Sequence, residues 1–195
     1  MVALFPSVSS IPVEKLLVYE GAAMAWGGGG QPIDGREFGQ VGNTKVDIYV
    51  RLVNDKASNL GMPLPAGKMR VFQRDEADGS LEFIGEDRLD HTTKDEKVRI
   101  RLGSAFDVVG ERKQVDFAVD TRARWLEEEV EIRVRNRKNE AVEVSVVEGL
   151  YRTANWKLLT RSQEYTRQDA RTVVFPLKIA SDAEAVVRYR VRYSW

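Results

Sequence analysis

Strict alternation of apolar and polar residues constrains this chain more than any other feature. The tail AVVRYRVRYSW sets Val187, Tyr189, Val191, Tyr193 and Trp195 on one face and Arg188, Arg190 and Arg192 on the other. KVDIYVRLV (45–53) repeats the pattern with Val46, Ile48, Val50 and Leu52, and KVRIRL (97–102) with Val98, Ile100 and Leu102. EVEIRVR (129–135) does so with Val130, Ile132 and Val134, and 141–147 with Val142, Val144 and Val146. A period of two is that of a strand with one packed and one wet face, and such sheets are commonly antiparallel. Turn chemistry separates the runs. Asp78–Gly79 predicts a hairpin joining roughly 68–74 to 80–86, and Asn136–Arg137–Lys138–Asn139 and the Pro63–Gly67 stretch predict further turns. A helical period is missing over any long stretch; only EYTRQDAR (164–171) suggests a single helical turn.

These patterns predict an all-β protein with under about 10% helix, against a base rate of roughly 30–35%. The expected architecture is an antiparallel β-sandwich, with an immunoglobulin-like C-terminal half and a further β portion packed N-terminal to it. The 195 residues can bury a core as one large β domain or two small ones. The weakest seam lies near 118–125. It divides the chain into a poorly diagnostic strand and Gly-rich loop (1–40), an N-terminal β portion (41–120) and a sandwich of immunoglobulin size (121–195). Val130, Ile132, Val134, Val144, Tyr189 and Val191 are its expected core. The Gly-rich stretch 27–43 reads as a loop or excursion.

Composition excludes several functions. Thirty basic and thirty acidic residues cancel, so the global field that draws nucleic acid or an anionic membrane is missing. Without cysteine there are no disulfides, thiolate nucleophiles or Cys-type metal sites. No apolar run reaches the ~18–20 residues of a membrane span, and MVALFPSVSS lacks a basic n-region, so neither membrane insertion nor a signal peptide is expected.

The densest chemistry lies in 85–117, GEDRLDHTTKDEKVRIRLGSAFDVVGERKQVDF. His91, the sole histidine, stands among Glu86, Asp87, Asp90, Asp95 and Glu96. Their spacing does not match a calcium loop, and a one-histidine zinc site would need distant carboxylates. A polar turn with Asp90 capping local N–H groups explains them as well. Arg112 follows an expected turn at Gly110–Glu111, and its fork could clamp Asp90 or Glu86. Glu86, Asp90, His91 and Arg112 are thus the candidate binding residues. No catalytic residue, metal or cofactor is expected: G-x-S-x-G, Walker A and dinucleotide fingerprints are all missing. The arginine stripes 133/135/137 and 188/190/192 would attract anions if left open, but cross-strand pairing with Glu129, Glu131 and Glu143 is the simpler expectation. Tyr151, Trp156, Tyr165, Tyr193 and Trp195 suit either a carbohydrate platform or sandwich core and rim.

NLGMPLPAGKMRVFQRD (59–75), FIGEDRLDHTTKDEKVRIRLGSAFDVVGERKQVDF (83–117), EIRVRNRKNEAVEVSVVEGLYRTANWKL (131–158) and VVRYRVRYSW (186–195) together resemble the bacterial domain-of-unknown-function family 4139, specifically its C-terminal domain. The likeness spans about Val41 to Trp195 and departs at Thr93, where the family pattern has proline. It implies an exported protein, periplasmic or extracellular, whose N-terminal domain and helical segment would be this region's partners. It implies no activity, because the family carries no established catalytic residues. Two functional classes follow. The first is a non-catalytic interaction or structural module contacting an envelope protein or polysaccharide. The second is a hydrolase or carbohydrate-binding domain acting on cell-envelope polymers.

Overall fold

The computed structural model describes residues 7–22, 33–38 and 42–195. Among them all regular structure is strand, in chain order β1 (Glu14–Glu20), β2 (Lys45–Val53), β3 (Gly67–Arg74), β4 (Leu81–Leu89), β5 (Lys97–Asp120), β6 (Trp125–Asn136), β7 (Val142–Gly149), β8 (Asn155–Arg161), β9 (Thr166–Arg167), β10 (Thr172–Ile179) and β11 (Glu184–Ser194). The all-β expectation holds. The helical turn expected in 164–171 does not: that stretch holds the two-residue β9, which pairs with β10 at Val173 and Val174. Of the Gly-rich stretch 27–43, residues 27–32 and 39–41 lie outside the described residues.

The chain forms two compact units. One takes the chain up to Leu16 together with Asp47–Ser104; the other takes Leu17–Val46 together with Ala105–Trp195. At the seam suggested near 118–125 the chain makes only the tight β5–β6 turn, inside the second unit, with Asp120 Oδ1 accepting the Arg122 and Ala123 N–H groups. The division falls instead within the 24-residue β5. Local turn signals cannot reveal a strand that runs through two units.

In the first unit, β3 and β4 form the expected hairpin as a separate two-stranded sheet. A bulge between Val71 and Phe72 interrupts the alternation of its outward and inward residues, and its inner face lies on β5. Gly85 is there for space: a Cβ would fall 2.5 Å from the Leu102 carbonyl oxygen. Asp87 adds a bond by accepting the Arg101 N–H at 2.7 Å. The fully buried Asn54 ties the loops beside the sheet, donating to the Met62 and Thr93 carbonyls and accepting from Gly61 N–H.

The second unit is built on two sets of hydrogen-bonded strands, β8-β11-β6-β5 and β1-β7-β10-β9. Within them β6 pairs antiparallel with both β5 and β11, and β7 with β10. The expectation of purely antiparallel pairing needs correction, because β1 lies parallel to β7 with Leu17 opposite Val144. Parallel neighbours need a long connection, and here over a hundred residues separate them. Side chains of the two sets meet in one core, where Phe175 of β10 stacks on Tyr189 of β11 at 5.6 Å. The six expected core residues are all buried, Val130, Ile132, Val134, Val144 and Val191 at 0% exposure. Val134→Ala should therefore destabilise this unit by about 1–3 kcal/mol, through lost transfer energy and a residual cavity. Denaturation followed by tryptophan fluorescence isolates the unit, since the first unit's ranges hold no tryptophan. A midpoint unchanged from the parent protein would contradict the packing.

Candidate functional site

Strand parity sends two carboxylates into the core of the second unit. On β7, Glu148 follows Val144 and Val146 at the inward positions; on β6, Glu128 shares parity with Val130 and Ile132. Glu148 is 0% exposed and Glu128 4%. A bare carboxylate at such depth would cost several kcal/mol, so each needs a cation and further donors.

Arg112 of β5 supplies the first cation. Its Nε donates to both Glu148 oxygens, at 3.0 and 3.2 Å, and the Tyr189 hydroxyl donates to the same carboxylate. Tyr19 packs beside this group and donates to the Asn43 carbonyl at 2.7 Å. Its ring fills the space over Gly110, where a Cβ would lie 2.1 Å from Cε2. Gly110 is therefore not in a turn, as its sequence neighbourhood suggests, but in mid-strand, leaving room for an aromatic ring.

Arg152 supplies the second cation. Its Nε donates to Glu128 Oε2 at 3.1 Å; Gln114 donates to the same oxygen at 3.0 Å, and the Tyr193 hydroxyl to Oε1 at 3.2 Å. The rest of the guanidinium holds residues 33–38, donating to the carbonyls of Ile33, Gly35 and Phe38 at 3.0, 2.8 and 3.1 Å. The Phe38 and Phe117 rings lie against it, each 5.3 Å from the guanidinium carbon. The unit thus contains two Glu–Arg–Tyr braces, both closed off from solvent.

Electrostatics follow the burial. Burial opposes the Arg112 charge, but Glu148, Tyr189 and Glu128 outweigh it and raise the pKa above the ordinary arginine value. Tyr189 and Tyr193 are pushed well above the usual phenol range, by burial first and then by Glu148 and Glu128 respectively. Their hydroxyls stay protonated as donors. Among the described residues no deeply buried side-chain polar atom lacks a partner. Arginine and protonated phenol are both donors, and the two buried carboxylates accept from them, so each group braces the strands that carry it.

The sequence-derived candidates take different places. Glu86 is on the exposed face of the β3–β4 hairpin, held by Lys68 at 3.0 Å and Arg70 at 3.1 Å, whose hydrogen bonds lower its pKa. His91 is exposed, and its Nδ1 accepts the Ala66 N–H at 3.3 Å. Asp90 is exposed, and its carbonyl accepts the Thr92 hydroxyl. These three belong to the first unit and Arg112 to the second. The carboxylate clamped by Arg112 is Glu148. Charge density and motif spacing do not point to Glu128, Glu148 or Arg152, although strand parity marks both glutamates as inward.

Cross-strand pairing covers the arginine stripes. Arg188 pairs with Glu131, Arg190 with Glu129 at 2.7 Å and Asp116 at 2.6 Å, and Arg192 with Glu127. Arg133 and Arg135 pair with Glu184 and Glu111. The face is a mixed-charge lattice. Most of the tyrosines and tryptophans considered for a platform are occupied too: Tyr193 is core, Tyr165 packs on Phe175, and Trp156 donates to the Ala170 carbonyl under the Arg167 guanidinium.

Comparison with protein-family models, curated proteins and solved structures returns no match.

Proposed function

We propose that this chain is a non-catalytic β-sandwich module working through surface contacts, the C-terminal part of an exported bacterial protein of the domain-of-unknown-function 4139 kind. One observation carries the reading: the chemically strongest groups of the second unit, Arg112, Glu148, Arg152 and Glu128, are sealed into the core as braces. A substrate could reach Glu148, at 0% exposure, only by opening the fold. Large apolar groups stand at the surface instead, including Phe106 at 97% exposure. Apolar anchors of this kind serve association. The proposed contacts are with the N-terminal domain and helical segment of the precursor, and with an envelope protein or polysaccharide.

For the C-terminal half, 121–195, we propose an immunoglobulin-like sandwich, supported by the size of the second unit and its two sets of strands. An immunoglobulin domain places its first, second, fifth and fourth strands in one sheet and its third, sixth and seventh in the other. On this reading β5-β6-β11-β8, neighbours in the strand order, correspond to the first set, and the neighbours β7 and β10 to the second. The two final long strands have therefore exchanged places, a variant of that plan.

A turnover screen with ester, peptide and glycoside substrates tests the non-catalytic reading. No hydrolysis above background is expected. Turnover abolished by His91→Ala in a folded protein would transfer the assignment to an envelope hydrolase.

A further inference from the structure

The β3–β4 hairpin carries an outer face whose chemistry is complementary to itself. Its middle is apolar: Phe72 and Phe83 pair edge to face at 5.6 Å, yet remain 49% and 55% exposed, and Leu81 beside them is 64% exposed. An open groove of about 390 Å³ is lined by the two rings and by the ion-paired Arg70 and Glu86. The base of the same face holds Lys68, Arg70 and Arg88 against the single acid Glu86, and is cationic. The tip holds Asp75, Glu76 and Asp78 against Arg74, and is anionic. Asp75 and Asp78 accept turn N–H groups, and Asp78 is held below the usual carboxylate range by its bonds from Ser80. By register, which shifts at a bulge between Val71 and Phe72, Glu82 lies opposite Gln73 and Asp87 opposite Met69, both on the other face.

The spacing is symmetric as well. Phe72 lies four residues from both Lys68 and Glu76; Phe83 lies five from both Asp78 and Arg88. We propose that this face binds a second copy of the chain, hairpin against hairpin and antiparallel, about a two-fold axis through the Phe72–Phe83 pair. That axis sets the anionic tip of each copy on the cationic base of the other and buries four phenylalanine rings between them. Such an interface is isologous: one self-complementary patch serves both copies. Charge decides the occupant. A wholly acidic ligand would meet the tip, and a wholly basic one the base, whereas an inverted copy matches both ends. Eight residues of strand span only about 27 Å. The face is thus smaller than the roughly 800 Å² per partner of a standard interface, and a reversible dimer that dissociates on dilution is expected. Self-association goes beyond the contact role proposed above and stands or falls separately from it.

Sedimentation equilibrium of the full chain over a concentration series, at low and high salt, tests the proposal. The parent protein should dimerise reversibly and more weakly in high salt, because exposed charges are screened. Phe83→Ser should weaken the dimer about 10-fold or more, since the anchor is lost from both copies at once. Two charge variants keep the test decisive if that substitution disturbs folding. Lys68→Glu with Arg70→Glu reverses the base; Glu76→Lys with Ala77→Lys reverses the tip. Each variant alone should be monomeric, and an equimolar mixture should recover a heterodimer. A parent protein that stays monomeric throughout would overturn the proposal and leave the face to a different partner. So would a mixture that fails to associate, or a dimer indifferent to all three changes.

Discussion

Arg112→Ala should remove about 3–5 kcal/mol from the second unit, a large share of the roughly 5–15 kcal/mol that holds a typical domain together. The cost does not measure the attraction of an ion pair. Glu148 is 0% exposed and Arg112 6%, so deleting the cation leaves a carboxylate in the core with the Tyr189 hydroxyl and no counter-charge. Glu148→Ala should cost a similar amount for the mirror-image reason. Replacing both partners, as Arg112→Met with Glu148→Leu, removes both charges, and the double variant should be markedly more stable than the sum of the single losses. Urea denaturation followed by tryptophan fluorescence measures all three. Strict additivity would show that the two side chains do not brace one another. Tyr189→Phe provides a finer measure: it removes one donor from the carboxylate and should cost about 1–3 kcal/mol.

The same brace shows which information is local in the sequence. The inward positions of β6, β7 and β11 were legible because a strand's side chains alternate whatever it pairs with. Parity alone therefore predicts Val130, Ile132, Val144 and Tyr189 as core, and marks Glu128 and Glu148 as buried acids. Their partners were not legible. Arg112 and Glu148 are 36 positions apart, and Tyr189 lies 41 beyond Glu148. What joins them is the packing of the two strand sets, which no periodicity records. The parallel β1–β7 pair was hidden for the same reason. Gly110 is ambiguous in sequence because glycine serves turns and close approaches alike, and only Tyr19 above it tells the two apart. The polar cluster around His91 is conspicuous in sequence only through its density of charge. Exposed acids and bases near one another are common, however, whereas an acid at an inward position of a strand is rare and has to be explained.

Arg152→Ala should be as damaging as the loss of Arg112, and should add a local effect that the first brace lacks. At 2% exposure Arg152 compensates the charge of Glu128 and also holds three carbonyls of residues 33–38. A loss of about 3–5 kcal/mol is expected from the stranded Glu128 alone. Arg152→Lys separates the two roles. Lysine keeps a positive charge that can satisfy Glu128, but its ammonium has no planar fork with which to reach Glu128 and three backbone oxygens together. The lysine variant should regain part of the global stability while residues 33–38 stay released. Amide hydrogen exchange at Ile33, whose N–H donates to the Arg152 carbonyl at 3.1 Å, and at Phe38, whose N–H donates to Gly35, gives the readout. Both amides should exchange faster in either variant than in the parent protein, under conditions where the β6 and β11 amides remain protected. If protection at Ile33 and Phe38 follows only global stability, the segment is held by the rest of the fold and the guanidinium is not its anchor. If Arg152→Lys restores both stability and protection, charge alone suffices and the fork contributes nothing specific.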